Sequence, residues 1–599
     1  MTKSDKITSI SGRLYYRIFL AGANKILENQ KVLNQINVFP VPDADTGTNL
    51  ASTCRYIIDN ARPDDSFKVT ADEIAVAALN GARGNSGVIF AQFLYGMSVE
   101  SGDHPHLTIH AFAEAIRKSV DYVYDAIANP VEGTMLTVIR EWADFIYSHK
   151  DIIDDFYGLF SRAYDIAAKA LVETTSKLKA LSLANVVDAG AKGFVLFLEG
   201  IMEGIRKRSS KRQILGSAKA VELAPFKSIP HEDFTFRYCT EAVVKGNDID
   251  KQSLKEELSL LGDSLVIAGA GKMVRLHIHT DTPPLLFEKL EKYGTITFQK
   301  ADDMEKQNQV VSSRKWNIAL VTDSTCDLPG ELTDFYQIHY VPLNIHFGET
   351  QYIDKITLKP ARFFKLLEDA EQFPSTSQPN ESAFLNMYSH LASHYDSVIA
   401  VHLSEKFSGT LRNSRNAADR ISKEMNKKIT VLDSRHVSGS LGLLTLRVAR
   451  AIENGLSHDD IVGRFQHWRE NTRIYVSVKN LKYFVRGGRV SPLKGRIANI
   501  LNIKPIVYVE PDGSTSLFDK AFSQKANMRK VMKHIRRFND ESPITEYILL
   551  HADEEENTDW YRKEMKELTG MEPLSVTNIS PVIGLHAGKG CVAVAVTSH

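Results

Sequence analysis

Two carboxylates two residues apart, Asp43 and Asp45, stand in the run Asn37-Val-Phe-Pro-Val-Pro-Asp-Ala-Asp-Thr-Gly-Thr-Asn49. The prolines before them and the glycine after them bound a turn. Such a pair suits Mg²⁺, which takes one or two protein carboxylates and leaves its other positions to water and phosphate oxygens. Thr46, Gly47, Thr48 and Asn49 follow at once, and small polar residues of this kind can offer backbone N–H groups and hydroxyls to phosphate. The same run also reads as an Asp-rich turn that only breaks structure. Which reading holds depends on what the fold brings to it.

Three more polar loops run into apolar, helix-like stretches. Gly81-Ala-Arg-Gly-Asn-Ser-Gly87 carries Asn85 and Ser86; Asn129-Pro-Val-Glu-Gly-Thr-Met-Leu-Thr137 carries Gly133 and Thr134; Asp188-Ala-Gly-Ala-Lys-Gly193 carries Asp188, Ala189 and Gly190. A Gly-rich loop that opens a helix is a natural anion site, because the free N–H groups and the helix dipole point the same way. Each such loop can equally be a plain turn. A different chemistry is spaced along Met273–Thr280. If this is a strand, Arg275, His277 and His279 share one face and Val274, Leu276 and Ile278 the other. Two histidines at i, i+2 can converge on one ion, and Cys239, on the alternating stretch Phe234–Val244, can add a thiolate. Cys plus two His leaves a fourth position open, the pattern of a catalytic or accessible zinc. The same spacing also suits hydrogen-bonded surface histidines.

The C-terminal part holds a third group of motifs: Thr322-Asp-Ser-Thr-Cys326, Pro374-Ser-Thr-Ser-Gln-Pro379, Ser404-Glu-Lys-Phe-Ser-Gly-Thr410, Arg486-Gly-Gly-Arg489 and Gly584-Leu-His-Ala-Gly588. Singly each reads as a capped turn. Together they supply hydroxyls, guanidinium groups and an imidazole, an inventory fit for a carboxylate.

The elements that must position these groups follow from periodicity. Apolar residues recur at three and four in Leu14–Leu20, in 111–127 and in 159–181, so residues 12–205 are expected to be all-α. A basic run, Arg206–Arg212, reads as a solvated linker. The alternating stretches around Cys239 and His277, with a helical stretch Lys251–Leu261 between them, predict a small α+β domain. Asp302–Lys315 is a polar stretch expected to be a second linker. Residues 316–599 alternate strand candidates (Asn317–Thr322, Ser397–Leu403, Lys428–Leu432, Tyr547–Leu550, Gly590–Val596) with helices such as Pro379–His394 and Leu411–Met425. This α/β region of two subdomains places its sites at strand C-termini. The expected domains are thus 1–205, 206–301 and 316–599, joined by 302–315. A chain of 599 residues is too long for one core.

Composition narrows the class. Lys+Arg and Asp+Glu are 73 each, a net charge of zero that argues against a broad nucleic-acid footprint. No stretch reaches the ~18 apolar residues of a membrane span, so no stable membrane insertion is expected. The start reads as an amphipathic helix rather than a signal core. The four scattered cysteines fit a reducing, cytoplasmic setting without a disulfide framework.

In this order, the four N-terminal loops resemble the DAK2 (DhaL-like) nucleotide-binding domain, and within it the fatty acid kinase catalytic subunit. That resemblance implies an all-helical barrel that binds ATP through Mg²⁺ on Asp43 and Asp45, with Asn37 as a third candidate ligand. It also implies that Thr46–Asn49, Asn85, Ser86, Gly133, Thr134 and the Asp188-Ala189-Gly190 segment meet the nucleotide. Ala44 stands where the family usually has Gly. Tyr238-Cys-Thr-Glu241 and His277-Ile-His-Thr280 resemble the middle domain of fatty acid kinases, which implies zinc on Cys239, His277 and His279. Residues 316–597 resemble the DegV family of fatty-acid-binding proteins. Carried over by position, Thr376, Ser408, Arg489 and His586 would meet a fatty acid's carboxyl head. Lys589, where the family commonly has Pro, would add a cation beside it.

The resemblances imply an ATP-dependent fatty acid kinase with its acyl-binding domain fused on. Its product would be an acyl phosphate, passed to a downstream acyltransferase for phospholipid synthesis, and a homodimer is expected by family. Two other readings stay open on the sequence: a kinase of dihydroxyacetone or a similar polyol, and a non-catalytic lipid carrier or sensor.

Overall fold

The computed structural model describes residues 6–38, 45–209, 235–479, 482–488 and 503–599. Asp43, Ala44 and Arg489 therefore lie outside the described residues, as do residues 210–212 of the basic run expected as a linker, whose first four residues instead end the helix Ala189–Ser209. The chain forms two compact units, residues 1–305 and 306–599.

The first unit begins with ten helices: α1 (Gly12–Glu28), α2 (Gln30–Gln35), α3 (Thr46–Asn60), α4 (Phe67–Gly81), α5 (Gly84–Glu100), α6 (Ile109–Ala126), α7 (Met135–His149), α8 (Phe156–Lys177), α9 (Lys179–Ala184) and α10 (Ala189–Ser209). A short strand pair, β1 (Ser9–Ser11) and β2 (His106–Thr108), ties the start of α1 to that of α6. The i, i+3/i+4 pattern buries Leu14, Ile18, Phe19 and Ile26 of α1, and Phe112, Ile116, Val120 and Val123 of α6. Side-chain caps fix several starts: Ser11 accepts from the Leu14 N–H, Thr108 from Ala111 and Asp155 from Gly158. Aromatic rings fill the centre, with Trp142 edge-on to Phe93 and Phe194 at 6.2 and 5.7 Å between centroids.

The same unit then forms a three-stranded antiparallel sheet in the order β4-β3-β5, from β3 (Tyr238–Ile249), β4 (Gly262–Thr280) and β5 (Thr295–Asp303), with α11 (Lys251–Leu258) and α12 (Pro283–Leu290) on one face. Ala242, Val244, Val274, Leu276 and Ile278 turn to those helices. The opposite face turns to the helical part. There Val266 and Ala268 join its core, and the Gly269 N–H donates to Gln92 Oε1 at 2.7 Å. The strand alternation expected for Met273–Thr280 is thus present, and it aims Arg275, His277 and His279 toward the helices. The polar stretch 302–315, expected as a linker, instead comprises the end of β5 and a helix, Met304–Ser312. Its charges are absorbed locally, Asp302 by Lys300 at 2.5 Å and Asp303 by Arg237 at 2.7 Å.

The second unit is α/β and contains two main sheets. One is parallel throughout, in the order Lys428–Asp433, Ser397–His402, Ile318–Asp323, His339–Val341. The other has six strands, and all its pairings are antiparallel except Ile544–His551 with Ser575–Asn578. The strand candidates around Tyr547 and Gly590 are neighbours in this sheet, with Ile548 opposite Ala595. Edge strands such as Thr515–Ala521, half exposed and weakly apolar, had no such signal in the sequence.

Candidate functional site

Helices α3, α5, α7 and α10 each begin at one of the four polar loops, and their first turns line a single cavity of about 320 Å³. Each start turns the positive pole of its dipole toward this space, so four such starts around it favour a multiply charged anion. Neither α3 nor α5 is capped by the side chain of its N-cap residue, Asp45 or Arg83. Asp45 lines the cavity together with Asn37, Thr46 and Asn49. Asn85 and Ser86 contribute from α5, Thr134 from the start of α7, and Asp188 and Gly190 from the start of α10.

Two neighbouring sites of close packing set this arrangement. Gly84 has φ of +57°, and a Cβ there would lie 2.2 Å from Asn49 Nδ2, so only glycine lets α5 start against α3. A Cβ on Gly190 would stand 3.0 Å from Ser86 Oγ. Asp188 Oδ1 accepts the Ala191 N–H at 2.7 Å. Burial lifts the Asp188 carboxyl to about 6, although bonds from the Ala191 and Met135 amides pull it the other way.

Other expected nucleotide contacts are placed elsewhere. Thr48 accepts from Asn34 Nδ2 at 2.9 Å and donates its own N–H to Asn34 Oδ1 at 2.9 Å, and Gly47 packs on Gln30 and Leu33. Both residues join α3 to α2 instead of lining the cavity. Ala189 is buried among Ile36, Val38 and Leu181, and Gly133, at φ of +86°, shapes the turn before α7. They support the wall without forming it.

The far side of the cavity is the sheet. Cys239, His277 and His279 line it, together with Asp263–Val266 at the start of β4. The histidines and the cysteine, read as a separate cluster in the sequence, share the space into which the four helices open. Their ligand atoms lie within 4.8 Å of one another, with Cys239 Sγ 3.9 Å from His277 Nδ1. Register explains the gathering, since Cys239 faces His279 and Glu241 faces His277 across the β3–β4 ladder. Burial pushes the Cys239 thiol well up and the His277 imidazole down. Asp263 approaches His279 Nδ1 at 3.3 Å, in the manner of a carboxylate that orients a metal-binding histidine.

Two buried polar atoms on this wall have no protein partner among the described residues: Asn85 Oδ1 on the helix side and His277 Nε2 on the sheet side. Buried polar groups are rarely left so, and both line the cavity. The donor set Cys/His/His fits zinc, and the carboxylate and amide of Asp45 and Asn37 fit Mg²⁺.

Glu241, Arg275 and Lys300 form a charged group behind this wall that the sequence does not mark as part of the site. Burial alone would raise the Glu241 carboxyl, but Arg275 and Lys300 hold it well below the usual range. Arg275 Nη2 donates to Glu241 Oε2 at 2.6 Å, with both side chains fully buried. The alternation placed Arg275 beside the histidines, but no local signal named its partner.

In the second unit, Thr376 lies on a strand (Ser375–Ser377) paired with Asn344–Phe347, and Ser408 Oγ is 2.8 Å from Thr410 Oγ1 at the start of a helix. His586 is in the helix Pro581–Ala587, packed so tightly on Gly487 that a Cβ there would lie 2.1 Å from its Nδ1. The Arg486-Gly-Gly motif and His586 are therefore neighbours. Lys589 differs from expectation. It pairs with Glu368 at 2.9 Å and Asp553 at 3.1 Å, so its charge is balanced and not offered to a ligand. The Thr322–Cys326 motif is structural: Asp323 is fully buried and accepts from Thr325 and from the Leu403 N–H.

Three family models match the chain. The DAK2 domain family matches residues 40–203, the FakA-like middle domain of fatty acid kinases 235–311, and the DegV family 317–599. An uncharacterised Staphylococcus epidermidis protein is 30% identical over 320 residues, which is 51% of this chain and 57% of that protein. Protein YloV of Bacillus subtilis is 31% identical over 325 residues, 52% of this chain and 58% of its own length. The chain thus spans under two thirds of these two relatives. A DegV domain-containing protein of Staphylococcus aureus is 31% identical over 277 residues, 46% of this chain and 97% of that protein. Among solved structures, DegV of Bacillus subtilis, a fatty acid binding protein, is 28% identical with a TM-score of 0.44, covering 48% of this chain and 100% of that one.

Proposed function

From a chain that belongs to the DegV family in its C-terminal half, and that joins this half to a DAK2 domain and a FakA-like middle domain, we infer an ATP-dependent fatty acid kinase. The proposed reaction transfers the γ-phosphoryl group of ATP to a fatty-acid carboxylate and releases acyl phosphate and ADP. The observation that carries it is the single cavity in which four helix starts, Asp45, Asn85, Ser86 and Asp188 face Cys239, His277 and His279.

A carboxylate is already ionised near neutral pH, so the reaction needs no general base for its nucleophile. The task of the protein is to position the reactants and to offset charge. Asp45, with Asp43 and Asn37, would hold Mg²⁺, which neutralises charge on the phosphates when bound. Cys239, His277 and His279 would hold zinc, a Lewis acid toward phosphoryl or carboxylate oxygen. The helix starts and the Asn85 amide orient the polyphosphate, and Ser86 offers a hydroxyl to it. Ile89, Ile127 and Val131 make an apolar part of the cavity wall.

The acceptor would be a fatty acid held by the DegV half, with Thr376, Ser408, Arg489 and His586 at its head group. Phospholipid synthesis is the proposed destination of the acyl phosphate. Oleate-dependent ADP release tests the reading. Asp45→Ala should abolish it with the fold intact, and turnover unchanged in that variant would refute the role of the acidic turn.

A further inference from the structure

Glu241 lies outside the cavity wall, yet it is tied to both sides of it. Its Oε1 accepts the Gly84 N–H at 2.6 Å, its Oε2 accepts from Arg275 at 2.6 Å, and Oε1 is 4.0 Å from His277 Nδ1. Gly84 opens α5, immediately before Asn85 and Ser86, and has no side chain with which to fix its own position. Arg275 extends the tie by donating to the Asn80 carbonyl at 3.0 Å, at the end of α4, with its guanidinium 4.8 Å from the centre of the Phe298 ring. The end of α4, the start of α5 and His277 are thus all referenced to one buried ion pair. The two unpartnered atoms of the cavity, Asn85 Oδ1 and His277 Nε2, sit one residue from Gly84 and on the histidine opposite Glu241.

We propose that Glu241 is a positioning residue that couples the two ends of the cavity, so that zinc at Cys239, His277 and His279 tightens nucleotide binding at the α5 loop. This rests on the nucleotide–metal reading above. A cation on His277 fixes the imidazole against Glu241, and Glu241 in turn fixes the Gly84 amide and the Asn85–Ser86 turn behind it. Coupling of this kind is reciprocal, so nucleotide must tighten zinc by the same factor.

The test is calorimetric titration of Mg·ADP into the full chain, either loaded with one equivalent of zinc or stripped by a chelator. The same titration is run on Glu241→Gln, which keeps an oxygen for Gly84 but loses the charge that holds Arg275. Leu258→Ala, which removes a buried side chain of α11 from the apolar face of the same sheet, controls for simple destabilisation. Zinc should tighten Mg·ADP about fivefold or more in the native chain and in Leu258→Ala, and less than about twofold in Glu241→Gln. A native Kd that zinc changes by less than this, or coupling that survives Glu241→Gln, overturns the proposal. Failure of the native chain to bind Mg·ADP under either condition would overturn the kinase reading itself, a distinguishable result.

Discussion

Arg275→Met should be among the most damaging single changes in the first unit. Arg275 and Glu241 are both fully buried and joined at 2.6 Å. Methionine fills much of the space but leaves the Glu241 carboxylate in the interior without its main counter-charge and removes a donor from the Asn80 carbonyl. Breaking a buried pair by removing one partner costs about 3–5 kcal/mol. Lys300, the second cation that holds Glu241 down, keeps the expectation near the lower end. Hydrogen exchange of the full chain, read on peptides from β3 and β4, gives the local value. A loss of about 3 kcal/mol lowers protection on the order of a hundredfold. The pH dependence has a definite sign. In the native chain the folded Glu241 carboxyl is depressed, so its stabilisation is present above the unfolded value of about 4.3 and is lost as pH falls toward the folded one. In Arg275→Met burial raises the carboxyl instead, and the resulting penalty fades as pH falls. The gap between the two proteins must therefore narrow from pH 7 to pH 4. Adding Glu241→Gln to Arg275→Met should recover at least half of the loss, because an absent buried pair costs less than a broken one. A loss under about 1 kcal/mol, or a gap that widens in acid, would show that Arg275 is not the main counter-charge of Glu241.

Asp188→Asn should stabilise the first unit by about 3 kcal/mol at pH 7–8 and not at all near pH 3. The folded carboxyl of Asp188 is raised to about 6, so the native chain carries a penalty that grows as pH rises from about 4 to about 6 and stays full above it; denaturant melts at both pH values check it. Cys239→Ser should lower zinc content from about one equivalent per chain to well below half by metal analysis, since one of three first ligands becomes a poor one. Lys589→Met should change fatty-acid affinity less than about twofold, because Lys589 is already paired with Glu368 and Asp553. Exposed pairs of this kind also contribute at most about 1 kcal/mol to stability. Fluorescent fatty-acid displacement and a thermal melt test both points.

Much of the site was legible because its signals are local. Helices α1, α6 and α8 follow from apolar spacing, and the shared face of Arg275, His277 and His279 follows from strand alternation. Each polar loop before a helix could be read alone. Their convergence could not, because it depends on how α3, α5, α7 and α10 pack, and the sheet face that closes the cavity comes from a separate stretch of chain. Glu241 was hidden for the same reason, since its partners Gly84 and Arg275 lie far away in sequence. Gly47 and Thr48 show the opposite error. Their types suit phosphate, but the side of α3 on which they fall is occupied by α2. Lys589 likewise reads as a free cation until Glu368 and Asp553 are brought to it by the fold.

The proposed function stands on transfer of a phosphoryl group to a fatty-acid carboxylate. The full chain, supplied with Mg·ATP, zinc and oleate, should yield oleoyl hydroxamate when quenched with hydroxylamine, detected by mass spectrometry in step with ADP and absent in Asp45→Ala. ADP release without any acyl hydroxamate, or hydroxamate formed equally by Asp45→Ala, would show that the chain is not a fatty acid kinase acting through its acidic turn.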